Sequence, residues 1–586
     1  MRPSIRVPLA VITLALLIWY CRRDDYVKTG VLNIRMEAAP TSLNPLLPST
    51  GYSNYVAGQV FQTLGIPDPE TLVMKPSLAK SIQTGKRVPA GPHQGELAYE
   101  FEIHEAATWD NGTPVTAEDF IFTLKVILHQ GFPDVYRQYY QYLSGVDIDL
   151  ANPKKFTVYM REFYILSLET LCSTPVYPAY NYDPKGLLKN VPLTDLIDPE
   201  KGKAFAESEN GKAFVEDFTA SKYSNEAQFI SASGAYALKS MNGDQGTILI
   251  KKKNWWGDQV ALTNPMLAAY PEQLVYKIVK SEPAVQNMLQ TGDLDVAVDL
   301  SLTTFKEMQQ DTHLTRLYDF KTGWSPRYGR LVFNLRQPDS DIFADVRLRR
   351  ALAYAIDYDY LVNTVQQGFA QQIVGPIHPK KAYYAKDIPL YTYNPTEVRR
   401  LLDEAGWKDS DGDGVLDKMI NGKRTRLSVK LMTPNGNKVS EMVSQSISEK
   451  ARQLQMEIIL DPQDISIITP ETRKGNFQLA SIGAITHTGL DELTQYYHST
   501  SSDNRGRYKN TRLDSIIEHI RTTEDESDRN ALYLQAQQIL HDDVPCVFLF
   551  ASARRYVISK KFNYVITPAG SGFMEQLFQL KESALK

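Results

Sequence analysis

The sequence predicts an α/β protein of packed sheets and helices, and three observations lead there. Short stretches that alternate apolar and polar residues interleave with stretches whose apolar residues recur at helical spacing. The 586 residues are 43% hydrophobic and 23% charged, which suffices for two or more lobes with ordinary cores. No internal repeat and no low-complexity linker interrupts the pattern, so ordered crossovers have to join the lobes.

Taken in order, LNIRM (32–36) reads as a strand and APTSLNP as a turn-rich stretch ending at Pro45. AYEFEIH (98–104) alternates again. In ATWDNGTPVTAEDFIFTLKVIL, Asn111-Gly112 is a turn signal and Thr116 is a helix N-cap. Asp119, three residues on, completes a capping box, and Phe120, Leu124 and Ile127 recur on one helical face. QGTILIKKK (245–253) reads as a strand. EPAVQNMLQTGDLDVAVDL (282–300) reads as a helix, a stop at Gly292 and a strand. DVRLRRALAYAIDYDYLVNTVQQG (345–368) is a long amphipathic helix, or two, ended by Gly368. NPTEVRRLLDEAGW has Asn394 as N-cap, Pro395 in the first turn and Gly406 past the end. RLSVKLMTP (426–434) alternates as a strand.

Charge and composition exclude some functions. Sixty-four basic and 68 acidic residues leave a net charge of −4, without a basic field for nucleic acid. The 33 tyrosines offer flat surfaces with polar tips that suit a lined cavity, although most will sit half-buried elsewhere. Nine histidines show no metal spacing, and GxSxG, HExxH and P-loop motifs are missing. No enzyme activity, metal or cofactor is therefore expected.

The N-terminus places the body outside the cytoplasm. MRPSIR carries Arg2 and Arg6, and the uncharged residues 7–20 follow. That run is short of the roughly 20 residues of a membrane span and fits the apolar region of a secretory signal. Cys21 comes next, as the lipidated cysteine of a bacterial lipoprotein would, although Tyr20 stands where a small residue is usual. An uncleaved anchor or a cut elsewhere is the alternative. Cys172 and Cys546 are expected to stay unpaired, Cys546 as a small buried hydrophobe in VPCVFLF.

In the same order along the chain stand TSLNP (41–45), PSLAKS (76–81), WDNGTPVTAEDFIFTL (109–124), SGAYAL (233–238), NWWGD (254–258), GDLDVA (292–297), FNLRQP…FADVRLRRALAYAID (333–357) and GWKDSDGDGVLDK (406–418). Together these stretches resemble the bacterial extracellular solute-binding proteins of family 5, the oligopeptide-, dipeptide- and nickel-binding components of ABC importers. The resemblance runs from about residue 30 to about 550.

It implies a periplasmic binding protein type II-like clamshell with two main lobes and an extra inserted lobe. The ranges expected are residues 1–25 for the signal or anchor, 26–61, 187–300 and 546–586 for lobe I, 62–186 for the extra lobe II, and 301–545 for lobe III. It implies binding of a peptide or peptide-like solute in the inter-lobe cleft, hinge closure, and delivery to ABC permease subunits by a monomeric, membrane-tethered protein. A ligand sensor, a periplasmic chaperone or a receptor for another small polar solute is the alternative.

In peptide-binding relatives an extended ligand pairs its backbone with short protein strands. By position, the ligand-binding residues here would be Ser49, Thr50 and Gly51 in one segment, and Gly483, Ala484, Ile485, Thr486 and His487 in the other, with Tyr136 as a ligand-facing ring. Such relatives carry a tryptophan and, three residues later, an aspartate that pairs with the ligand's ammonium. Gly483 and Thr486 stand at those positions, and an uncharged threonine cannot neutralise a buried ammonium. Asp491 or Glu492 would substitute if the register is shifted; otherwise the ligand lacks a cationic end.

DSDGDGVLD (409–417) starts like a calcium loop. Its twelfth position is Ile420, however, and a hairpin with an Asn421-Gly422 turn is expected downstream rather than a helix. The reading is a turn, with calcium as the alternative.

Overall fold

The computed structural model describes residues 30–134, 136–335 and 342–584. Cys21 and the signal region lie outside the described residues. The chain forms two compact units, the first from residues 30–161, 168–321 and 555–584, the second from 162–167 and 322–554.

The first unit carries a seven-stranded mixed sheet. Its order is Tyr318–Gly323, Arg554–Ser559, Val296–Val298, Val31–Met36, Gln273–Ile278, Gly246–Lys251, Tyr236–Asn242. Val31–Met36 pairs in parallel with Gln273–Ile278 along its whole length, and its Leu32, Ile34 and Met36 are buried. A separate antiparallel sheet orders Lys86–Arg87, Leu97–Glu102, Lys155–Met160 and Leu143–Ile148. The helix Ala117–Leu128 starts with the expected capping box, and Phe120, Leu124 and Ile127 are buried. Gly292 ends Glu282–Thr291 with φ 79°, a left-handed conformation that favours glycine.

The second unit is built on a six-stranded sheet. Its order is Ala370–Gln372, Cys546–Ser552, Arg327–Phe333, Leu479–Ile485, Ser428–Pro434, Glu457–Gln463. Leu331, Phe333, Ala351, Leu401, Trp407 and Leu431 belong to its core. Residues 345–368 form two helical pieces, Val346–Tyr354 and the wider-wound Tyr360–Val365. The break is local chemistry. Asp357 accepts from Tyr360 N and pairs with Lys450 at 2.9 Å, so it caps a restart instead of continuing the first helix.

Two expected boundaries are corrected. Cys546–Ser552 does not return to the first lobe; it lies between Ala370–Gln372 and Arg327–Phe333 in the second sheet. The chain re-enters the first unit at Arg555. The VPCVFLF run is buried on both faces, as an inner strand is, and such a run fits either sheet until its partners are known. Residues 301–321 likewise belong to the first unit, because Tyr318–Gly323 lies in its sheet.

Candidate functional site

Three of the family-like motifs of the first unit meet in one polar knot. Asp110, from the turn after Trp109, accepts from Ser231 Oγ at 3.2 Å and Ala232 N at 3.1 Å. Lys252 Nζ reaches the same carboxylate at 2.5 Å and the Ala232 carbonyl at 2.6 Å. The indole N–H groups of Trp255 and Trp256 both donate to the Ser233 carbonyl, at 2.8 and 3.0 Å. Burial pulls the Lys252 ammonium below its ordinary range, against the pull of Asp110. Residues 109–124, 233–238 and 252–258 are thus tied together by groups that bond one another, and their work is structural.

The first predicted segment starts a helix. Thr50 caps Gly51–Val60 and accepts from Ser53 N, while Ser49 Oγ donates to Asn54 Oδ1 at 3.0 Å. Thr50 and Gly51 are exposed and Ser49 is half-buried. The half-buried Tyr136 donates its hydroxyl to the Pro45 carbonyl at 2.9 Å, and burial raises its pKa. Tyr136 therefore braces Pro45, four residues before Ser49. A 410 Å3 cavity elsewhere in this unit, lined by His93, Lys125, Ser144 and Asp147 among others, contains none of these predicted residues.

The second segment is a strand end. Leu479–Ile485 pairs with Arg327–Phe333 residue for residue, from Leu479↔Phe333 to Ile485↔Arg327. On its other flank Ser428–Pro434 pairs only with Leu479 and Ala480. Beyond Ala480 that flank has no strand partner among the described residues. Residues 481–485 therefore present unpaired backbone groups of the kind an extended chain can complete. Gly483 and Ile485 are exposed, with Ala484 buried between them. Ile485 is 55% exposed, a large apolar side chain facing solvent.

Just past the strand, Thr486 N donates to the Pro326 carbonyl at 2.8 Å and its hydroxyl donates to Asp491 Oδ1. Asp491 is 2% exposed. Its Oδ2 takes Lys381 Nζ at 2.7 Å and the Tyr383 hydroxyl at 3.1 Å. Tyr533 donates to its backbone carbonyl at 2.5 Å. Lys381 also donates to the carbonyls of His487 and Gly489, at 2.6 and 2.7 Å. Burial pushes the Asp491 carboxyl up, and the Lys381 ammonium pulls against it. His487 is half-buried; burial, with Lys381 nearby, holds its imidazole down at about 4 and therefore neutral near pH 7.

The expectation that Asp491 or Glu492 could receive a ligand's ammonium is corrected here. The Asp491 carboxylate is closed by the protein's own lysine, tyrosine and threonine. Glu492 pairs with Arg521 at 3.5 Å and accepts from the Thr494 hydroxyl. Sequence reasoning missed Lys381, Tyr383 and Tyr533. HPKKAYYAKD (378–387) is dense in Lys and Tyr, but nothing local ties it to residue 491.

The acidic loop is a turn held by arginines. Carboxylate oxygens of Asp409, Asp411 and Asp413 lie within 4.8 Å of one another. Asp409 accepts from Gly412 N and Gly414 N, two glycines with φ 76° and 88°. Arg424 reaches Asp411 at 2.5 Å and Asp417 at 2.8 Å, and Arg426 reaches Asp413 at 3.1 Å. Arg424 and Ser410 hold the Asp417 carboxyl well below the usual range. Both arginines sit on the strand Lys423–Arg426, which pairs antiparallel with Asp417–Ile420 across the expected Asn421-Gly422 turn.

With this geometry in place, the chain can be set beside known proteins. The sequence model of the bacterial extracellular solute-binding proteins, family 5 Middle, matches residues 73–507. The chain belongs to family 5. The oligopeptide-binding protein AppA of Bacillus subtilis is 26% identical over 534 residues, covering 89% of this chain and 86% of AppA. The periplasmic oligopeptide-binding protein OppA of Escherichia coli is 24% identical over 481 residues, covering 78% and 77%. Among solved structures, AppA in complex with a nonapeptide superposes with TM-score 0.71 at 22% identity, covering 94% of this chain and 99% of AppA. NikA of Brucella suis in complex with Fe(III)-EDTA superposes with TM-score 0.73 at 16% identity, covering 94% and 100%. The fold is that of family 5, the type II-like fold expected from the sequence.

Proposed function

We propose that this family 5 protein is the extracytoplasmic binding component of an ABC importer for peptide-like solutes. The backbone of the solute adds as a strand along Ser481–Ile485. The open flank beyond Ala480 is the observation that carries this reading. The similarity to oligopeptide-binding AppA, whose structure holds a nonapeptide, supports it. Gly483 is exposed and adds no side chain to this strand end. Ser49, Thr50, Gly51 and Tyr136 are proposed as further contacts from the first unit. Hinge closure, delivery to a membrane permease and tethering through a lipidated Cys21 complete the proposal.

Native mass spectrometry of protein purified under mild conditions tests it. Co-purified peptides are the expected result. Non-peptide masses alone would overturn the peptide assignment and favour another polar solute. Release of the protein from membranes by Cys21→Ala is expected if Cys21 carries the lipid.

A further inference from the structure

The 410 Å3 cavity of the first unit lies within the range of small-molecule sites, about 300–1,000 Å3. One wall is strand backbone: residues 144–147, in unbroken succession, line it. Residues on one face of a strand alternate, so a cavity that touches successive residues runs along the strand's edge. Leu143–Ile148 is the end strand of its sheet. Lys155–Met160 pairs with one edge and does not line the cavity; the other edge has no strand partner among the described residues. The cavity therefore follows the open edge. Residues 189–194 form a second wall, and Ile121 and Lys125, one turn apart on the helix Ala117–Leu128, form a third.

The charge in this cavity is one-sided. Lys125 is 9% exposed, and its Nζ donates to the carbonyls of Leu188 and Lys189 at 3.0 and 3.3 Å. An ammonium has three protons, so one is left over. Lys189 lines the same cavity and is exposed, and neither lysine has a carboxylate within ion-pairing distance among the described residues. Burial pulls the Lys125 ammonium below its ordinary range, and Glu118 and Asp183 offset that only in part. Asp147, exposed, is the single carboxylate of the lining, and His93 is engaged by Glu96 at 2.7 Å. A buried cation without a counter-ion is costly, and an anion supplied from outside relieves that cost.

We propose that this cavity is a second ligand site, for a small carboxylate that also carries an amide, of the N-acyl amino acid class. Lys125 and Lys189 receive the carboxylate, and the amide bonds the free backbone groups along residues 144–147. Ile121 and Val146 give its short side chain an apolar surface. The lining belongs entirely to the first unit, so this site does not depend on the strand-addition reading at Ser481–Ile485.

Hydrogen-exchange mass spectrometry of the full chain, stripped of co-purified solute, tests this with two probes at millimolar concentration: N-acetyl-L-alanine and its uncharged primary amide. The acid is expected to slow exchange of the 143–148 amides at least about threefold, and the uncharged probe to leave them unchanged. Lys125→Met and Lys189→Gln should each remove the protection given by the acid. Lys125 also ties down two carbonyls, so Lys125→Met counts only with an unchanged melting curve; Lys189→Gln, at an exposed residue, decides the matter without it. Equal protection by the two probes overturns the carboxylate assignment, and so does protection by the acid that survives Lys189→Gln and a folded Lys125→Met. No protection at 143–148 with either probe overturns the site. Protection confined to residues 481–485 overturns it too, while supporting strand addition there.

Discussion

Two lysine–aspartate pairs, one chosen from each unit, lie within polar knots and are built differently. In the first unit, Asp110 and Lys252 meet at 2.5 Å with side chains 32% and 15% exposed. In the second, Lys381 and Asp491 meet at 2.7 Å with side chains 8% and 3% exposed. The first pair joins motif segments and lies partly in water, where ion pairs contribute little and hydrogen bonds carry most of the work. The second is dry, so each partner depends on the other to offset its desolvation. The depth of burial turns the same two residue types into a surface clasp at Asp110–Lys252 and a sealed lock at Lys381–Asp491. The lock sits just after the strand whose flank is open, so it also sets the charge seen at that strand end.

The largest effect should come from opening the lock. Lys381→Met leaves Asp491 buried without its cation and is expected to cost about 3–5 kcal/mol in chemical denaturation. Pairing it with Asp491→Asn should restore most of that. A loss below about 1 kcal/mol in the single variant would mean that Asp491 is neutralised without Lys381.

Acid should act on the buried rings of both units. Burial holds His129, in the first unit, and His378 and His487, in the second, down at about 4, against 6.5 in the unfolded chain. A depressed folded pKa gives stability that is present above pH 6.5 and is lost as pH falls towards 4. The loss should be at most about 3 kcal/mol per ring, and less for the half-buried His487. Melting temperature should therefore fall steeply between those pH values, and a flat profile would contradict the burial of these rings. Glu575 has the opposite sign. Burial raises its carboxyl to about 7, so its contribution is present below about pH 4.5 and lost as pH rises through 7. Glu575→Gln should raise stability at pH 8, by roughly 1–3 kcal/mol, and leave it nearly unchanged at pH 4.

The clasp should matter less than the lock. Asp110→Asn keeps the shape and some of the hydrogen bonds, and a loss of about 1–2 kcal/mol is expected. A loss equal to that of Lys381→Met would erase the distinction drawn between the two pairs. The smallest effect should be that of calcium on the 409–417 loop. Arg424 and Arg426 already pair with Asp411, Asp413 and Asp417, so millimolar calcium should shift the melting temperature by no more than about 1 °C. A shift of several degrees that disappears in Asp411→Ala would establish a metal site there.

Much of the local structure was legible in the chain. Thr116 with Asp119, Asn394 with Pro395, Gly292 and Asn421-Gly422 specify caps, stops and turns through their own backbone chemistry, and each appears where expected. The family motifs singled out Gly483–His487 as a candidate ligand segment, and the fold makes residues 483–485 the end of a strand. Signals that depend on a distant partner were not legible. Cys546–Ser552 is apolar on both faces and carries no mark of which sheet receives it. Lys381 looks like one lysine among several until it meets Asp491.

The sequence by itself determined the α/β class, the family and the helix and turn chemistry, because periodicity and capping act within a few residues. Only the tertiary structure decided that the flank beyond Ala480 has no strand partner among the described residues and that Asp491 is sealed. Those facts are set by which strands and side chains pack together across more than a hundred residues of chain, and burial, which decides the strength of each charge, exists only once they do.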